Sequence, residues 1–432
     1  MDSPVVRVGV VGAGFVGGAL VELLTDPSRH DALVDAATAP IELVGVAVRD
    51  RSKPRPGIAP DLVTTDVEEL LGRGLDILVE VVGGIEPARG YIEAALDRGV
   101  SVVTANKALM AEAGTELARR AHAHGADLFY EAAVGGAVPI LRALRTSLAG
   151  ERIVRVMGIV NGTTNFILSK MTTEGSDYSE ALAEAQALGY AEADPTADVE
   201  AFDAAAKVQI LSSLAFGTAL AGEEISRQGI TGVRAVDVDF AQRAGYVIKL
   251  LGVAERIGEN GLSSRVHPTL VPAEHPLAAV HGAMNAVFVE GAKSGPLMWL
   301  GQGAGGAPTA TAVLGDVLDA ARNRVSARHD APFRVNPTMR AVPSDDLRSV
   351  YYLSLDVQDH PGVLASVAGV FGRHGVSIRT MEQSGFGDEA RLNFFTHEAV
   401  AADVRATLAE LATLDDVDSI GACIPVLSGS AG

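Results

Sequence analysis

A short apolar run followed at once by closely spaced glycines is the feature that most restricts the fold of this chain. VVRVGVV is followed by the turn Gly12-Ala13-Gly14-Phe15-Val16-Gly17, which opens an apolar helical pattern. Four more apolar runs alternate with helical patterns as far as about residue 140: IELVGVAV, LDILVEVVG, VSVVTAN and ADLFYEAAV. Parallel strands need crossover helices, so this alternation predicts a parallel sheet with covered faces.

The glycine turn itself predicts dinucleotide binding. Gly12 permits the tight turn, Gly14 lets the backbone approach a pyrophosphate, and Gly17 lets the helix pack on the strand. The N–H groups at the start of the helix, at Phe15 and Val16, would then face the phosphates. A turn that needs glycine only for packing is the alternative interpretation. In this context we expect a Rossmann-type NAD(P)-binding domain.

The residues after the second apolar run bear on the choice of cofactor. This run ends in Arg49-Asp50. An acidic residue here usually binds the NAD ribose, whereas an arginine favours the NADP 2′-phosphate. Because Arg49 comes first, we expect NADP as the cofactor, and use of NAD stays open.

Charge and cysteine content exclude several classes of protein. The chain has 35 basic and 54 acidic residues and a formal net charge of −19. Nucleic acid and anionic membranes need basic surface, so neither is an expected partner. The single cysteine, Cys423, rules out an intrachain disulfide framework and fits a reducing compartment. No run of about 18 apolar residues occurs, and we expect a soluble, cytoplasmic protein.

The rest of the chain predicts two further domains. Residues 141–321 mix strand patterns with helical ones at 177–189, 197–216 and 308–321, and we expect a second domain of mixed α+β type after the NAD(P)-binding domain at 1–140. The last of these helices is expected to pack back on the first domain. Residues 322–347 read as a linker. A small βαβ-type unit follows at 348–432.

The segment LGYAEADPTADVEAFDAAAK (188–207) carries the densest set of candidates for chemistry. Asp203 and Lys207 are four residues apart and Glu200 is seven before the lysine, so all three would share one helix face. Glu192 and Asp194 precede Pro195 in a loop. A lysine between carboxylates suits a small zwitterionic substrate and a proton transfer. A solvated helix face is the alternative.

Several motifs together resemble one enzyme family. Gly83-Gly84, Thr104-Ala105-Asn106-Lys107, NGTTN (161–165), the segment at 188–207 and GQGAGGAPTA (301–310) resemble homoserine dehydrogenase over roughly residues 5–325. The C-terminal Asp359-His360-Pro361-Gly362-Val363-Leu364 and GVSI (375–378) resemble an ACT domain, a ferredoxin-like amino-acid sensor. The resemblance implies reversible conversion of L-homoserine to L-aspartate 4-semialdehyde with NAD(P), in the threonine, methionine and isoleucine branch of aspartate-family biosynthesis. It also implies that residues 141–321 form the catalytic and dimerisation domain, that L-threonine inhibits the enzyme by feedback, and that the protein is a homodimer or homotetramer.

The resemblance also assigns roles. Lys207 would donate a proton to the aldehyde oxygen during reduction, and Lys107 would orient that oxygen beside the nicotinamide; which lysine donates the proton stays open. Glu192 and Asp203 would hold the substrate amino group. Asp198 and Glu200 are instead expected to be charges that favour the helix start. The remaining expected contacts are Gly162 and Thr163 with substrate, and Gly83 and Gly303 with cofactor.

A monovalent cation is implied at one loop. In the resembling family, backbone carbonyls coordinate sodium at positions that match Glu131, Val134, Gly136 and Val138 of EAAVGGAVP. Glycines let a chain curl so that carbonyl oxygens converge on a hard cation. A simple loop between a strand and a helix is the alternative.

Three rival functions would each need different residues. Aspartate-semialdehyde dehydrogenase needs a cysteine nucleophile, and the only thiol lies in the C-terminal segment. An ACT-regulated 2-hydroxyacid dehydrogenase needs a catalytic histidine, and none occurs between residues 125 and 266. A catalytically inactive NAD(P)- and amino-acid-sensing protein on the same fold stays as the alternative.

Overall fold

The computed structural model describes residues 5–330, 335–386 and 389–428. Its internal contacts divide the chain into two compact units. Unit 1 comprises Met1–Val156, Ala206–Gly222 and Asn285–Met339, and unit 2 comprises Met157–Ala205, Glu223–Met284 and Arg340–Gly432. Within the described ranges, no helix has both the length and the apolarity needed to cross a membrane.

Unit 1 is built on a six-stranded sheet with the order β3-β2-β1-β4-β5-β6, in which every pair is parallel. The strands are β1 (Val6–Val11), β2 (Ile41–Ala47), β3 (Val63–Thr64), β4 (Ile77–Glu80), β5 (Ser101–Thr104) and β6 (Leu128–Phe129). The predicted parallel sheet is therefore confirmed. The strand order reverses between β1 and β4, and ligands of such sheets bind outside the carboxyl ends of the strands at that point.

Helices cover the sheet of unit 1. They are α1 (Phe15–Thr25), α2 (His30–Ala37), α3 (Val67–Leu71), α4 (Ala88–Leu96), α5 (Lys107–Ala123) and the short α6 (Ile140–Arg142). The fully buried core joins Val8 and Val10 of β1, Leu20 of α1, and Val313 and Val317 of a helix that comes much later in the chain. That late helix (Gly306–Ser326) packs against α1 and completes one face of the sheet.

Three longer elements each contain one of the five boundaries between the two units. They are β7 (Ile153–Ile159), α10 (Phe202–Phe216) and β11 (Met284–Gly291). The rest of unit 2 before its C-terminal part consists of α7 (Gly162–Glu174), α8 (Tyr178–Ala187), α9 (Thr196–Val199), β8 (Ser226–Arg227), α11 (Ala235–Arg243), β9 (Tyr246–Ile257) and β10 (Gly261–Pro272). β9 and β10 pair antiparallel over their whole length, from Gly261 opposite Ile257 to Pro272 opposite Tyr246. Unit 1 also holds β12 (Gly295–Gln302) and the late helix, α12.

The C-terminal part of unit 2 is a small α+β sandwich. The short β13 (Arg340–Ala341) precedes it and pairs with β10. The elements of the sandwich are β14 (Arg348–Ser349), β15 (Tyr351–Gln358), α13 (Val363–Arg373), β16 (Ile378–Phe386), β17 (Glu389–Thr396), β18 (Ala399–Val400), α14 (Ala401–Leu411) and β19 (Val417–Pro425). The main sheet is antiparallel with the order β16-β17-β15-β19. Leu353, Leu355, Val367 and Phe371 share one buried core with the two helices. This is the predicted ferredoxin-like domain.

Within unit 2, the other face of that sheet packs on α11 through a buried polar cluster. Asp237 of α11 is fully buried and accepts hydrogen bonds from the hydroxyls of Tyr352 (3.0 Å) and Ser354 (3.1 Å) and from the Arg391 guanidinium (2.5 Å). Phe240 stacks on Tyr352 with ring centroids 5.0 Å apart. The C-terminal domain is therefore anchored to α11 by an ion pair as well as by apolar contacts.

Two predicted helix boundaries need correction. The helix predicted over 197–216 is broken: α9 ends at Val199, Ala201 has φ +64°, and α10 begins at Phe202. Left-handed backbone at a non-glycine residue cannot continue a right-handed helix, so Glu200 does not share a helix face with Lys207. Helix α12 also runs to Ser326, into the segment predicted as a linker.

Candidate active site

The glycine turn after β1 has the geometry that its sequence predicts. Gly12 has φ +104°, and a Cβ there would lie 2.9 Å from the carbonyl oxygen of Val81. A Cβ on Gly17 would lie 2.0 Å from the carbonyl oxygen of Gly12, which shows how closely α1 approaches the turn. A Cβ on Gly14 would instead have no atom within 4 Å. Open space at Gly14, at the start of α1, is what a pyrophosphate requires.

The residues after β2 leave a positively charged loop beside this turn. Arg49 and Asp50 are both exposed. One oxygen of Asp50 accepts from the N–H (2.9 Å) and the hydroxyl (2.6 Å) of Ser52, and these hydrogen bonds lower the pKa of the Asp50 carboxyl. Asp50 thus has one oxygen engaged within its own turn. Basic side chains recur at alternate positions of the loop, at Arg49, Arg51, Lys53 and Arg55.

The carboxyl ends of β4 and β5 are tied together by Glu80, a buried carboxylate that the sequence analysis overlooked. One oxygen of Glu80 accepts from the N–H groups of Val82 (2.7 Å) and Gly83 (3.0 Å), and the other accepts from the Thr104 hydroxyl (2.6 Å). The Asn106 amide donates to the carbonyl of Gly84 (2.6 Å). An acidic residue inside an apolar strand pattern was the signal in the sequence that could have identified Glu80, because acids in such positions are rarely buried without a partner.

Both candidate lysines line one cavity of about 290 Å³ in unit 1. Lys107 begins α5 and is exposed, whereas Lys207 on α10 is only 9% exposed. Glycine and alanine backbone forms much of the remaining wall, at Gly83, Gly84, Ala105, Ala132, Ala133, Gly135, Gly136, Gly303 and Ala304. Small residues leave the backbone accessible to a bound molecule, and the two lysines bring two ammonium groups to the same cavity.

The wall opposite the strand ends is a close stack of backbone. A Cβ on Gly136 would lie 2.6 Å from the carbonyl carbon of Gly303, and the N–H of Ala137 donates to the carbonyl of Gln302 (3.0 Å). A Cβ on Gly303 would lie 2.1 Å from Cγ of Asn285. The Asn285 amide is 1% exposed, and neither its oxygen nor its nitrogen has a hydrogen-bond partner among the described residues. Nothing in the sequence pattern had singled out Asn285.

The loop predicted to bind a cation lies next to a pair of buried acids. Glu131 accepts from the N–H groups of Leu141 (2.8 Å) and Arg142 (2.6 Å), and its own N–H donates to Asp316 (2.7 Å). Burial raises the pKa of Glu131, and it raises the pKa of Asp316 to about 7. The Glu131 side chain therefore caps the chain at residues 141–142 instead of pointing at a ligand. Gly135 and Gly136 follow with φ +73° and +57°.

Unit 2 gathers a polar cluster at the start of α7. The Asn161 amide donates to Asp198 (2.6 Å) and Asp203 (2.9 Å), and the Thr163 hydroxyl donates to Asp198 (3.1 Å) and to the carbonyl of Tyr190 (2.5 Å). Asn161 also caps α7 by accepting from the N–H of Thr164 (2.9 Å). Two carboxylates so close together suit a cationic amino group. Asp198, predicted to be only a charge at a helix start, belongs to this cluster.

The other acids of the segment lie elsewhere. Glu192 is exposed, and its carboxylate makes no hydrogen bond to the cluster among the described residues. Asp194 accepts from the N–H (3.1 Å) and hydroxyl (2.6 Å) of Thr196, so it caps α9. Glu200 accepts from the Thr231 hydroxyl (2.9 Å). Of the three acids, none is brought into hydrogen-bonding distance of Asp203 in the described chain.

A separate cavity of about 410 Å³ lies at the DHPGVL loop of the C-terminal domain. Asp359, His360 and Gly362 line it, and Gln383 of β16 donates to Asp359 (3.1 Å). Gly362 has φ +105°, which turns the chain sharply before α13. The loop therefore presents carboxylate, imidazole and backbone groups at the edge of the sheet.

Three family models match successive parts of the chain. The model described as the NAD binding domain of homoserine dehydrogenase matches residues 12–131, homoserine dehydrogenase matches 139–318, and the ACT domain matches 351–416. Among curated relatives, homoserine dehydrogenase of Corynebacterium glutamicum is 48% identical, covering 97% of this chain and 95% of the relative. Homoserine dehydrogenase of Mycobacterium tuberculosis is 47% identical and covers 98% of each.

Solved structures give the same picture. A homoserine dehydrogenase from Thiobacillus denitrificans has a TM-score of 0.93 at 38% identity and covers 99% of both chains. A hyperthermophilic archaeal homoserine dehydrogenase mutant in complex with NADPH has a TM-score of 0.62 at 29% identity, covering 73% of this chain and 98% of that one.

The parallel sheet, its glycine turn and the lysine-lined cavity define an NAD(P)-binding oxidoreductase with a C-terminal ACT domain. The family matches and the near-complete coverage of the relatives make the class specific. The chain belongs to the homoserine dehydrogenase family.

Proposed function

We propose that this enzyme catalyses the reversible, NADP-dependent interconversion of L-homoserine and L-aspartate 4-semialdehyde. The observation that carries the proposal is that Lys107 and Lys207 line one cavity beside the carboxyl ends of β4 and β5. A carbonyl oxygen that gains negative charge during reduction needs a nearby ammonium group to stabilise and protonate it.

The residues present fit a dinucleotide. The open space at Gly14, with the N–H groups of Phe15 and Val16 at the start of α1, would hold the pyrophosphate, and Gly83 and Gly303 would lie at the nicotinamide end. When bound, the oxidised nicotinamide accepts the hydride that leaves the carbinol carbon of homoserine. Arg49, with the other basic side chains of its loop, supports NADP over NAD, because Asp50 uses one oxygen within its own turn.

The proton follows a separate route. In the oxidation direction the Lys207 amine takes the proton from the substrate hydroxyl, and in the reduction direction the Lys207 ammonium returns it to the aldehyde oxygen. Lys107 stabilises the negative charge on that oxygen. The reaction therefore balances as one hydride and one proton lost by homoserine.

Substrate recognition is assigned to the start of α7 and the start of α10. Asp203 would bind the substrate ammonium, and the polar cluster adds Asp198 to that role. Gly162 and Thr163 would bind the carboxylate with the first-turn N–H groups of α7. Glu192, which is exposed, would contribute only if its loop closes over the ligand.

A sodium ion or similar monovalent cation would bind the loop that begins at Glu131. The positive φ angles of Gly135 and Gly136 curl the chain, and no described N–H donates to the carbonyls of Val134 and Gly136. The carbonyls of Glu131 and Val138 already accept from Val134 (3.3 Å) and Ile140 (2.8 Å). Each carbonyl oxygen has a second lone pair, so the four oxygens fit such a cation, whose part would be to hold this loop against Gly303.

Regulation by L-threonine is assigned to the cavity at Asp359, His360 and Gly362. The carboxylate would bind the ammonium group of an amino acid, and exposed backbone N–H groups would bind its carboxylate. The resemblance to homoserine dehydrogenases with an ACT domain supports a homodimer or homotetramer. We further propose an NAD(P)-binding domain at 1–140, a catalytic domain at 141–321, a linker at 322–347 whose first residues complete α12 as far as Ser326, and the ACT domain at 348–432.

Steady-state oxidation of homoserine with NADP and with NAD tests this proposal in the wild type, Lys107→Ala and Lys207→Ala. We expect turnover that is faster with NADP, and a loss of kcat in both variants with NADP binding retained. Full activity of Lys207→Ala would refute the proton route. Binding of NADPH without any hydride transfer in the wild type would favour the alternative, a catalytically inactive sensing protein.

A further inference from the structure

A lysine outside the cavity is buried without a carboxylate partner. Lys249 is the fourth residue of β9, is 1% exposed, and forms no salt bridge with any described carboxylate. Its ammonium donates to the carbonyl of Val280 (2.5 Å) and to the side-chain oxygen of Asn165 (3.1 Å). Burial lowers the pKa of Lys249 to about 8. Burying an ammonium group is costly, so the hydrogen bonds of Lys249 must offset the cost of removing its charge from water.

Asn165 is the centre of these hydrogen bonds. While its oxygen accepts from Lys249, its amide nitrogen lies within hydrogen-bonding distance of three carbonyls, of Val280 (3.2 Å), Gly282 (2.9 Å) and Met284 (3.1 Å). The N–H of Gly282 in turn donates to the Ser169 hydroxyl (3.2 Å), one turn further along α7. These hydrogen bonds hold residues 280–284, here called the 280–284 loop, to α7 and β9.

The 280–284 loop closes on the first turn of α7. A Cβ on Gly162 would lie 2.7 Å from the carbonyl oxygen of Ala283, so the loop backbone sits directly against that residue. Asn165 is one helical turn below Asn161, and its N–H donates to the Asn161 carbonyl (3.3 Å). The contacts of Lys249 thus form a supporting layer beneath the cluster of Asn161, Thr163, Asp198 and Asp203.

We propose that Lys249 is a positioning residue for substrate recognition: through Asn165 it fixes the 280–284 loop against Gly162 and so sets the position of the Asn161–Thr163 backbone. This inference rests on the proposed function, because it takes the start of α7 as the homoserine site. If Lys249 served only to fill space in β9, methionine, which has a similar length and no charge, would replace it without loss. If it positions the helix start, methionine leaves the buried Asn165 oxygen without the donor that Lys249 supplies, takes one of two donors from the Val280 carbonyl, and lets Asn165 rotate.

The test compares Lys249→Met with the matched control Lys170→Met. Lys170 lies on α7, the helix that carries Asn165, but it pairs with two exposed carboxylates, Glu174 (2.8 Å) and Glu184 (2.5 Å). For Lys249→Met we expect the KM for homoserine to rise about tenfold or more, which corresponds to about 1.4 kcal/mol, while the KM for NADP stays within about twofold because the nucleotide site is in unit 1. Lys170→Met is expected to leave both KM values unchanged.

A second variant covers the case in which Lys249→Met does not fold. Asn165→Asp keeps an oxygen for Lys249 and gives it a carboxylate partner, but it replaces the amide donor by an oxygen that faces three carbonyls. We expect the same selective rise in the KM for homoserine. In addition, Lys249→Met and Asn165→Leu are measured singly and combined. The double variant should raise the KM for homoserine no more than the larger single change, because both changes remove the same set of contacts.

Four results would overturn the inference. They are an unchanged KM for homoserine in a folded Lys249→Met or Asn165→Asp variant, equal rises in both KM values together with a lower melting temperature, effects of the two sites that multiply, and an equal effect of Lys170→Met. Failure of the proposed function is seen separately, because the wild type would then not oxidise homoserine at all.

Discussion

Replacing Gly303 by alanine would place a methyl group where the amide of Asn285 stands. The added Cβ would be 2.1 Å from Cγ, 2.2 Å from Nδ2 and 2.4 Å from Oδ1 of Asn285. Favourable contacts between packed carbon atoms are about 3.5–4.0 Å long. Either the Asn285 side chain or the Gly303 backbone must therefore move by more than about 1 Å.

The consequence for activity follows from where Gly303 lies. Its backbone lines the cavity that holds Lys107 and Lys207, and a displacement of about 1 Å in an active site can cost about 100-fold in rate. We therefore expect kcat/KM for homoserine to fall about 100-fold, or about 2.7 kcal/mol of transition-state stabilisation. Overpacking should also lower the free energy of unfolding by about 1–3 kcal/mol.

The assay is steady-state homoserine oxidation together with denaturant unfolding, and a compensating change decides the cause. Asn285→Ala removes the side chain that the new methyl group would meet, so Gly303→Ala with Asn285→Ala should recover most of the lost kcat/KM. Gly150→Ala is the control, because a Cβ there meets no atom within 4 Å. Undiminished activity of Gly303→Ala, or a double variant no better than the single one, would refute the steric reasoning.

Three further changes test other parts of the site. Asp198→Asn should raise the KM for homoserine about tenfold and affect kcat less, because it removes one negative charge from the site of the substrate ammonium, an interaction of about 1–3 kcal/mol. An unchanged KM would contradict the role given to the cluster. Arg49→Ala should lower kcat/KM with NADP about tenfold and leave NAD turnover unchanged, measured side by side with each cofactor. Burial raises the pKa of the Asp316 carboxyl from 3.8 to about 7. Between pH 3.8 and about 7 the folded protein therefore keeps a proton on Asp316 that the unfolded chain has released. The free energy of unfolding falls as the pH rises through this range. Asp316→Asn should remove a decline of up to about 4 kcal/mol, followed by unfolding titrations from pH 4 to 8; parallel curves for the two proteins would contradict it.

Much of the dinucleotide half could be predicted because its signals are local. Gly12 needs a backbone with φ +104°, and a Cβ on Gly17 would lie 2.0 Å from the carbonyl oxygen of Gly12. Only glycine fits both positions, so their spacing in the sequence predicts the turn. The same holds for the alternation of strands and helices in the first 140 residues. The segment Thr104–Lys107 and the segment at 188–207, which ends in Lys207, were recognised by their resemblance to a family. The structure places Lys107 and Lys207 at one cavity.

The sequence by itself determined the fold class, the glycine turn and the identity of the two lysines. The tertiary structure alone decided which acids surround the start of α7. Asn161 donates hydrogen bonds to Asp198 and Asp203, which are 37 and 42 residues later in the chain. The left-handed backbone at Ala201 ends the helix, so Glu200 is not on the helix that the sequence periodicity predicted for it. Glu80, Lys249 and Asn285 were likewise not predicted, because a buried polar group is defined by partners that are distant in sequence. Periodicity reports which face of an element is apolar, whereas the partner of a buried charge depends on how the elements pack.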